Sequence, residues 1–171
     1  KFKDRLFVKQ IAISSNRGVK KIYYFNKESQ LSSLSDGIKK FTYNKNKKLN
    51  YDRIKTDTLD NVIKKNFWKY FDKIDFIKID TEGYEFETLL GAKNIIKKSK
   101  PKFIQFEMNW HNLFLNRNLI NFSKLLNNYY LYIILPFNSG LRKVDVNSPN
   151  NNIFHLSNFL CIRKDISKYF N

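Results

Sequence analysis

The sequence predicts an α/β fold: a mostly parallel sheet that ends in an antiparallel carboxyl-terminal hairpin. Three observations carry this. First, the 171 residues are 42% hydrophobic and 16% aromatic, enough for one core and far above what a disordered chain carries. Second, the apolar run Ile74 to Asp80 and the β-prone run Lys102 to Glu107 flank a stretch with helical periodicity. Such a unit of about 30 residues is the size of a strand–helix–strand crossover, whose two strands lie parallel. Third, Tyr129 to Pro136 and Phe159 to Arg163 are two further strand-like runs, separated by the polar, turn-rich segment Asn138 to Asn152.

The remaining elements follow from local pattern. Leu6 to Ser14 reads as a strand, Asn16-Arg17-Gly18 as a turn and Lys20 to Phe25 as a second strand. Glu28 to Asn50 is polar throughout and reads as a long loop, with a short strand over Leu49 to Lys55. Asp57 or Thr58 can cap a helix whose Leu59, Val62 and Ile63 share one face. From Tyr84 to Lys98, Phe86, Leu89, Leu90, Ile95 and Ile96 fall at helical spacing, with Glu85 and Glu87 in the first turn and Lys97 and Lys98 in the last, as the helix dipole favours. Pro101 ends that helix, and Leu113 to Asn128 reads as another. No repeat or linker divides the chain, so residues 1–171 read as one domain.

Composition excludes several classes. A single cysteine, Cys161, allows neither an internal disulfide nor a CxxC zinc site, and a reducing, cytoplasmic setting is the default expectation. No run of 18 apolar residues is present to span a membrane. The net charge of +17 invites a nucleic-acid reading. Yet the bases are 26 Lys and only 6 Arg, spread along the chain, and no specific nucleic-acid partner is expected.

Chemistry concentrates between Ile74 and Ala92. Asp80, Glu82 and Glu85 cluster where a buried strand meets a helix, the edge at which open parallel sheets bind ligands. Lys78 sits within the apolar strand and therefore belongs near an edge or beside a partner. Gly83 supplies a turn conformation that a side chain would hinder. Glu107 ends the next strand on the same predicted edge, and His111 follows it as a candidate base. Trp110 and His111 could line a substrate mouth. For Asp80 and Glu82 the competing reading is a helix cap, and for Glu85 a first-turn charge. Asp80, Glu82 and Glu107 could also form an oxygen site for a hard cation.

The run Lys78-Ile79-Asp80-Thr81-Glu82-Gly83-Tyr84-Glu85 resembles the K-I-D-V-E-G-x-E signature of FkbM-type methyltransferases, and Leu89-Leu90-Gly91-Ala92 resembles its L-x-G-A continuation. Ile11-Ala12-Ile13-Ser14 with Gly18 is similar to the A-L-S-x-x-x-G segment, Ser32-Ser33-Leu34 to the S-S-L loop, and Thr58-Leu59-Asp60 to T-L-D. The likeness is specific from about Ile11 to Glu107. It implies a Rossmann-like class I methyltransferase sheet, S-adenosylmethionine as cofactor, and O-methylation of a sugar or other hydroxylated metabolite. It implies no metal. Asp80, Glu82, Glu107 and His111 are then the expected catalytic groups, with Ser14 and Asp80 at the cofactor. One departure stands out. The family begins with a strand, a Gly-rich turn and a strand ending in an acid. Here Gly18, Gly37, Gly83, Gly91 and Gly140 are too far apart to form that turn. The expectation is a partial domain, truncated at its amino terminus by about a third, that binds cofactor poorly alone. A basic nucleic-acid module or a non-catalytic scaffold remnant of the fold is the alternative.

Overall fold

The computed structural model describes residues 6–26, 32–40, 48–137, 139–152 and 154–170. Its strands form two sheets. In the smaller, β1 (Ala12–Ile13) pairs parallel with β3 (Asn50–Asp57), and β2 (Gly18–Tyr24) pairs antiparallel with β3 along its whole length. In the larger, β4 (Phe76–Ile79), β5 (Phe103–Met108), β6 (Tyr129–Ile134), β7 (Leu141–Lys143) and β8 (Ser157–Arg163) lie in the order β4-β5-β8-β6-β7.

The crossover expected around the acidic motif is present: β4 and β5 are parallel, with Lys78 beside Gln105 and Ile79 beside Phe106. The expected antiparallel pairing near the carboxyl end is also present, between β6 and β8. The larger sheet is nevertheless not mostly parallel. Only β4–β5 pair in that sense, whereas β5–β8, β8–β6 and β6–β7 are antiparallel. The reason is one insertion. Strand β8 enters between β5 and β6 against both, so β4, β5 and β6 still share a direction although β5 and β6 never touch.

Other boundaries shift for physical reasons. Only Ala12 and Ile13 of the expected Leu6–Ser14 strand join a sheet; Leu6, Phe7 and Val8 are 69%, 55% and 81% exposed. Part of the expected Glu28–Asn50 loop lies outside the described residues, and the rest holds a bridge at Ser33 and a 3-10 turn over Asp36–Lys40. The expected Tyr84–Lys98 helix is two helices, α2 (Glu85–Leu90) and α3 (Lys93–Ser99). The break falls at Gly91 and Ala92, where the Ser14 backbone packs so closely that a Cβ on Gly91 would meet its carbonyl oxygen at 2.1 Å. Asp60 then caps α3, accepting from the backbone of Asn94 and Ile95. The expected Leu113–Asn128 helix is likewise α4 (Trp110–Phe114) and α5 (Leu119–Leu125). Asn109 and Asn118 each close a capping box with the residue three positions on, so two helix starts occupy a stretch that periodicity alone joins. The polar Asn138–Asn152 segment contains β7.

Side chains alternate across the larger sheet. Ile77, Ile79, Ile104, Phe106, Met108, Leu131, Phe159 and Cys161 form the core face with Leu89, Ile95, Leu119, Phe122 and Leu126 from the helices. Phe106 stacks on Phe122 at 4.3 Å between ring centres. Helix α1 (Leu59–Asn66), capped by Thr58 through Asn61 N–H, adds Leu59 and Ile63 to the rim of this core. The opposite face carries Phe76, Lys78, Phe103, Gln105 and Glu107, all half-buried or exposed. Glu107 and Lys78 therefore stand on one side of the sheet, near the carboxyl ends of two parallel strands.

Candidate active site at the carboxyl ends of β4 and β5

After Ile79 the chain makes a tight turn through Asp80, Thr81, Glu82 and Gly83 before α2 begins. Glu85 holds that turn. Its Oε1 accepts from the backbone N–H of Thr81 at 2.9 Å, from the Thr81 hydroxyl at 3.1 Å and from the backbone N–H of Gly83 at 3.1 Å. The side chain is fully buried, and burial raises its pKa against the pull of those donors. Gly83 has φ +95°, and a Cβ there would lie 2.2 Å from Cβ of His111. Two independent constraints thus demand glycine. Glu82 adopts the left-handed region at φ 51°, unusual for a side chain of its size. The Ser33 hydroxyl, 49 residues earlier in the chain, donates to the Glu82 carbonyl at 2.7 Å and supports that conformation.

The turn aims its carboxylates at Glu107. Oxygen atoms of Asp80, Glu82 and Glu107 lie within 4.8 Å of one another, a spacing that a single hard cation could also bridge. Asp80 pairs with Lys78 at 3.0 Å, which satisfies both expectations for that lysine: a partner, and a strand with no second neighbour among the described residues. Glu107 accepts from Asn109 Nδ2 at 3.0 Å. Burial, then the charges of Glu107, Asp80 and Glu85, push the Glu82 pKa up to about 7. Glu107 is raised as well, by burial and by Asp80, against the Asn109 hydrogen bond and Lys78. Like charges this close titrate as a unit.

The capping alternative finds no support in the geometry. Helix α2 starts after Tyr84 with no side-chain cap, so neither Asp80 nor Glu82 fills that role. The other expected residues stand apart from the cluster. His111 is fully buried, neither ring nitrogen has a hydrogen-bond partner, and its ring stacks on Trp110 at 3.7 Å. Burial lowers its pKa to about 4, so it is neutral and supports the Gly83 turn by packing. Ser14 is also fully buried, wedged between the end of β3, where its N–H bonds to the Asp57 carbonyl at 3.0 Å, and Gly91. One supporting residue was not singled out from sequence, and a second was read only as part of the S-S-L likeness. Asn109 orients Glu107 while capping α4, and its Asn-x-x-Asn spacing is a readable signal. Ser33 reaches Glu82 across a separation that no local pattern encodes.

Asp80 and Glu82 open onto a cleft of about 550 Å³, lined by Ala12, Ile13, Ile54, Leu59, Ile77 and Ile79 among others. Residues of β1 and β4 both line it, and each of these strands is paired on one side only among the described residues. The cleft is therefore an apolar slot with acids at one end. Acids at the end of such a slot suit a cationic group, and the sulfonium cofactor that the family resemblance implies carries one. Of the residues lining the slot none is a glycine, so the close backbone approach such a cofactor needs is not supplied by them.

No curated protein and no solved structure matches the chain at a significant level. A family model does, and its span contains every carboxylate of the cluster: the Methyltransferase FkbM domain matches residues 3–132. The motif that builds this turn and the model that covers it agree, and the chain belongs to the FkbM family of methyltransferases.

Proposed function

We propose that the chain carries the acceptor side of an S-adenosylmethionine-dependent O-methyltransferase acting on a sugar or other hydroxylated metabolite. The observation that carries this is Glu82, a half-buried carboxylate with a pKa near neutrality, at the end of an apolar slot and beside two further acids. Held mainly by a glycine-rich cradle docked in that slot, the cofactor would supply an electrophilic methyl group on a positively charged sulfur. Asp80 would hold its cationic end. Glu82 would take the proton from the attacking hydroxyl, because a base with a pKa near the working pH balances availability against strength. Glu107, held by Asn109, would fix the acceptor by hydrogen bonding. Glu85 and His111 would position the turn, one by hydrogen bonds and the other by packing. Much of the rate would come from alignment of the two reactants.

The same reading explains the slot. Two strand edges that are unpaired among the described residues and border one apolar gap are a place for extended backbone. We infer that the cofactor's glycine-rich cradle is provided by strands that dock between β1 and β4 and lie outside these 171 residues. Calorimetry with S-adenosylmethionine tests this. The 171-residue chain is compared with an extended chain carrying a strand, a Gly-rich turn and a strand ahead of Lys1. Binding only by the extended chain supports the reading. Tight binding by the shorter chain shows that the cofactor lies elsewhere. Methyl transfer to a panel of glycans and hydroxylated metabolites by the extended chain then tests the acceptor class, and cofactor binding without transfer to any hydroxyl overturns it.

A further inference from the structure

The opposite end of the larger sheet carries a second cavity. It measures about 700 Å³ and lies between α3, the end of α5 and the start of β6, with Arg163, Lys164 and Asp165 closing one side. Its size is that of a small-molecule site. Lys93, Lys97, Lys100, Arg163 and Lys164 line it against the single acid Asp165. Asp165 is occupied: it takes Arg163 in a two-point pair at 2.7 and 3.0 Å. Arg163 also donates to the Lys100 carbonyl and so ties β8 to the end of α3. Lys164 lies over the Tyr130 ring, and Lys93, Lys97 and Lys100 have no acidic partner among the described residues, which leaves them as a cationic rim.

Beneath the rim the surface is apolar. Ile96, Leu125 and Leu126 line the cavity, and Tyr129 is turned inward with its hydroxyl bonded to the Pro101 carbonyl at 2.8 Å. An inorganic anion would make no use of such a floor. A nucleobase would need an exposed aromatic face, and the one aromatic residue lining the cavity is 5% exposed. We propose that this cavity binds a small amphiphilic anion: a phosphate or carboxylate head held by Lys93, Lys97 and Lys100, and a hydrocarbon portion laid on the half-buried Ile96 and Leu125. The acid cluster is at the opposite end of the same sheet, on β4 and β5, and shares no lining residue with this cavity, so this site is separate from the proposed reaction centre and does not depend on it.

Alkyl phosphates below their aggregation threshold are the probes, measured by calorimetry on the 171-residue chain. Affinity should rise along hexyl, octyl and decyl phosphate by up to about fourfold per methylene that reaches the floor. Lys97→Gln with Lys100→Gln should weaken decyl phosphate by about tenfold while leaving the melting curve unchanged, since both side chains are exposed. Lys48→Gln with Lys55→Gln makes the same charge change away from the cavity and should leave the affinity as it was. Affinity independent of chain length, or equal losses in the two double variants, overturns the site and reduces the effect to general charge attraction. Vesicles of phosphatidylglycerol in phosphatidylcholine identify the source of the head group. Vesicle binding lost only in the cavity variant supports the site with a bilayer lipid as its ligand. Decyl phosphate binding without such vesicle binding supports it with a free amphiphile.

Discussion

The two ends of the five-stranded sheet carry opposite chemistry, one on β4 and β5 and the other at β6 and β8. At the carboxyl ends of β4 and β5, three carboxylates converge within 4.8 Å and are held by a turn that tolerates almost no change. At the other end, exposed lysines rim an apolar cavity, and the Arg163–Asp165 pair with the bonds to the Lys100 and Pro101 carbonyls provides the order. The difference teaches where rigidity is placed. The acids come together where hydrogen bonds fix the backbone, as those of Glu85 and Ser33 do around Glu82. Lysines at the opposite end repel one another too, but solvent and long side chains absorb the cost.

The contrast can be broken most severely at Gly83. Alanine there must resolve a 2.2 Å encounter with His111 in a left-handed backbone, so Gly83→Ala should destabilise the chain by about 3 kcal/mol or more. Chemical denaturation measures this, and a loss below about 1 kcal/mol would mean that the turn is pliable. Asp80→Asn comes next. In the extended chain it should lower methyl transfer by about a hundredfold, the scale of removing one charge aimed at a reacting centre. Its melting temperature should move little, because the Lys78 pair is half-exposed. Activity tracking stability instead would reduce Asp80 to a surface charge.

A smaller effect concerns pH. The folded-state pKa of Glu82 is raised to about 7 from an ordinary 4.5. The native state thus holds a proton that the unfolded chain releases, so this residue's contribution is complete below pH 4.5 and is lost as pH rises through 7. Glu82→Gln, which cannot ionise, should be more stable than the parent at pH 8 by about 1–2 kcal/mol after solvent screening, and equal to it at pH 4. Urea titrations at the two pH values check the sign. His111 runs the other way: its lowered pKa means stability is lost as pH falls from 6.5 toward about 4, so only the difference between variant and parent isolates Glu82. The smallest effect belongs to the lysine end. Lys97→Gln with Lys100→Gln should alter stability by no more than about 0.5 kcal/mol, and a larger loss would show that the rim is structural.

Much of the site was legible in the sequence because its parts are contiguous. Asp80, Thr81, Glu82, Gly83 and Glu85 sit in one run, and the crossover that follows brings Glu107 to the same edge. The local role of each residue was less legible. Glu85 reads as a first-turn charge and is in fact the latch of the turn, because its Oε1 folds back on Thr81 and Gly83. Helix boundaries failed where a tertiary contact intervened. Nothing near Gly91 says that Ser14 will press on it, and apolar periodicity runs through the break. The sheet's pairing failed for a topological reason, since no local pattern shows that β8 inserts between β5 and β6.

The most direct measurement of the acid cluster's role is the pH–rate profile of methyl transfer by the extended chain, parent against Glu82→Gln. The parent rate should rise with an apparent pKa near 7, the value that burial and the neighbouring acids set on Glu82. The variant should be slower by about a hundredfold and should lack that inflection. A variant with the parent's rate and the parent's inflection would contradict the assignment, because the group titrating near neutrality would then lie outside the cluster.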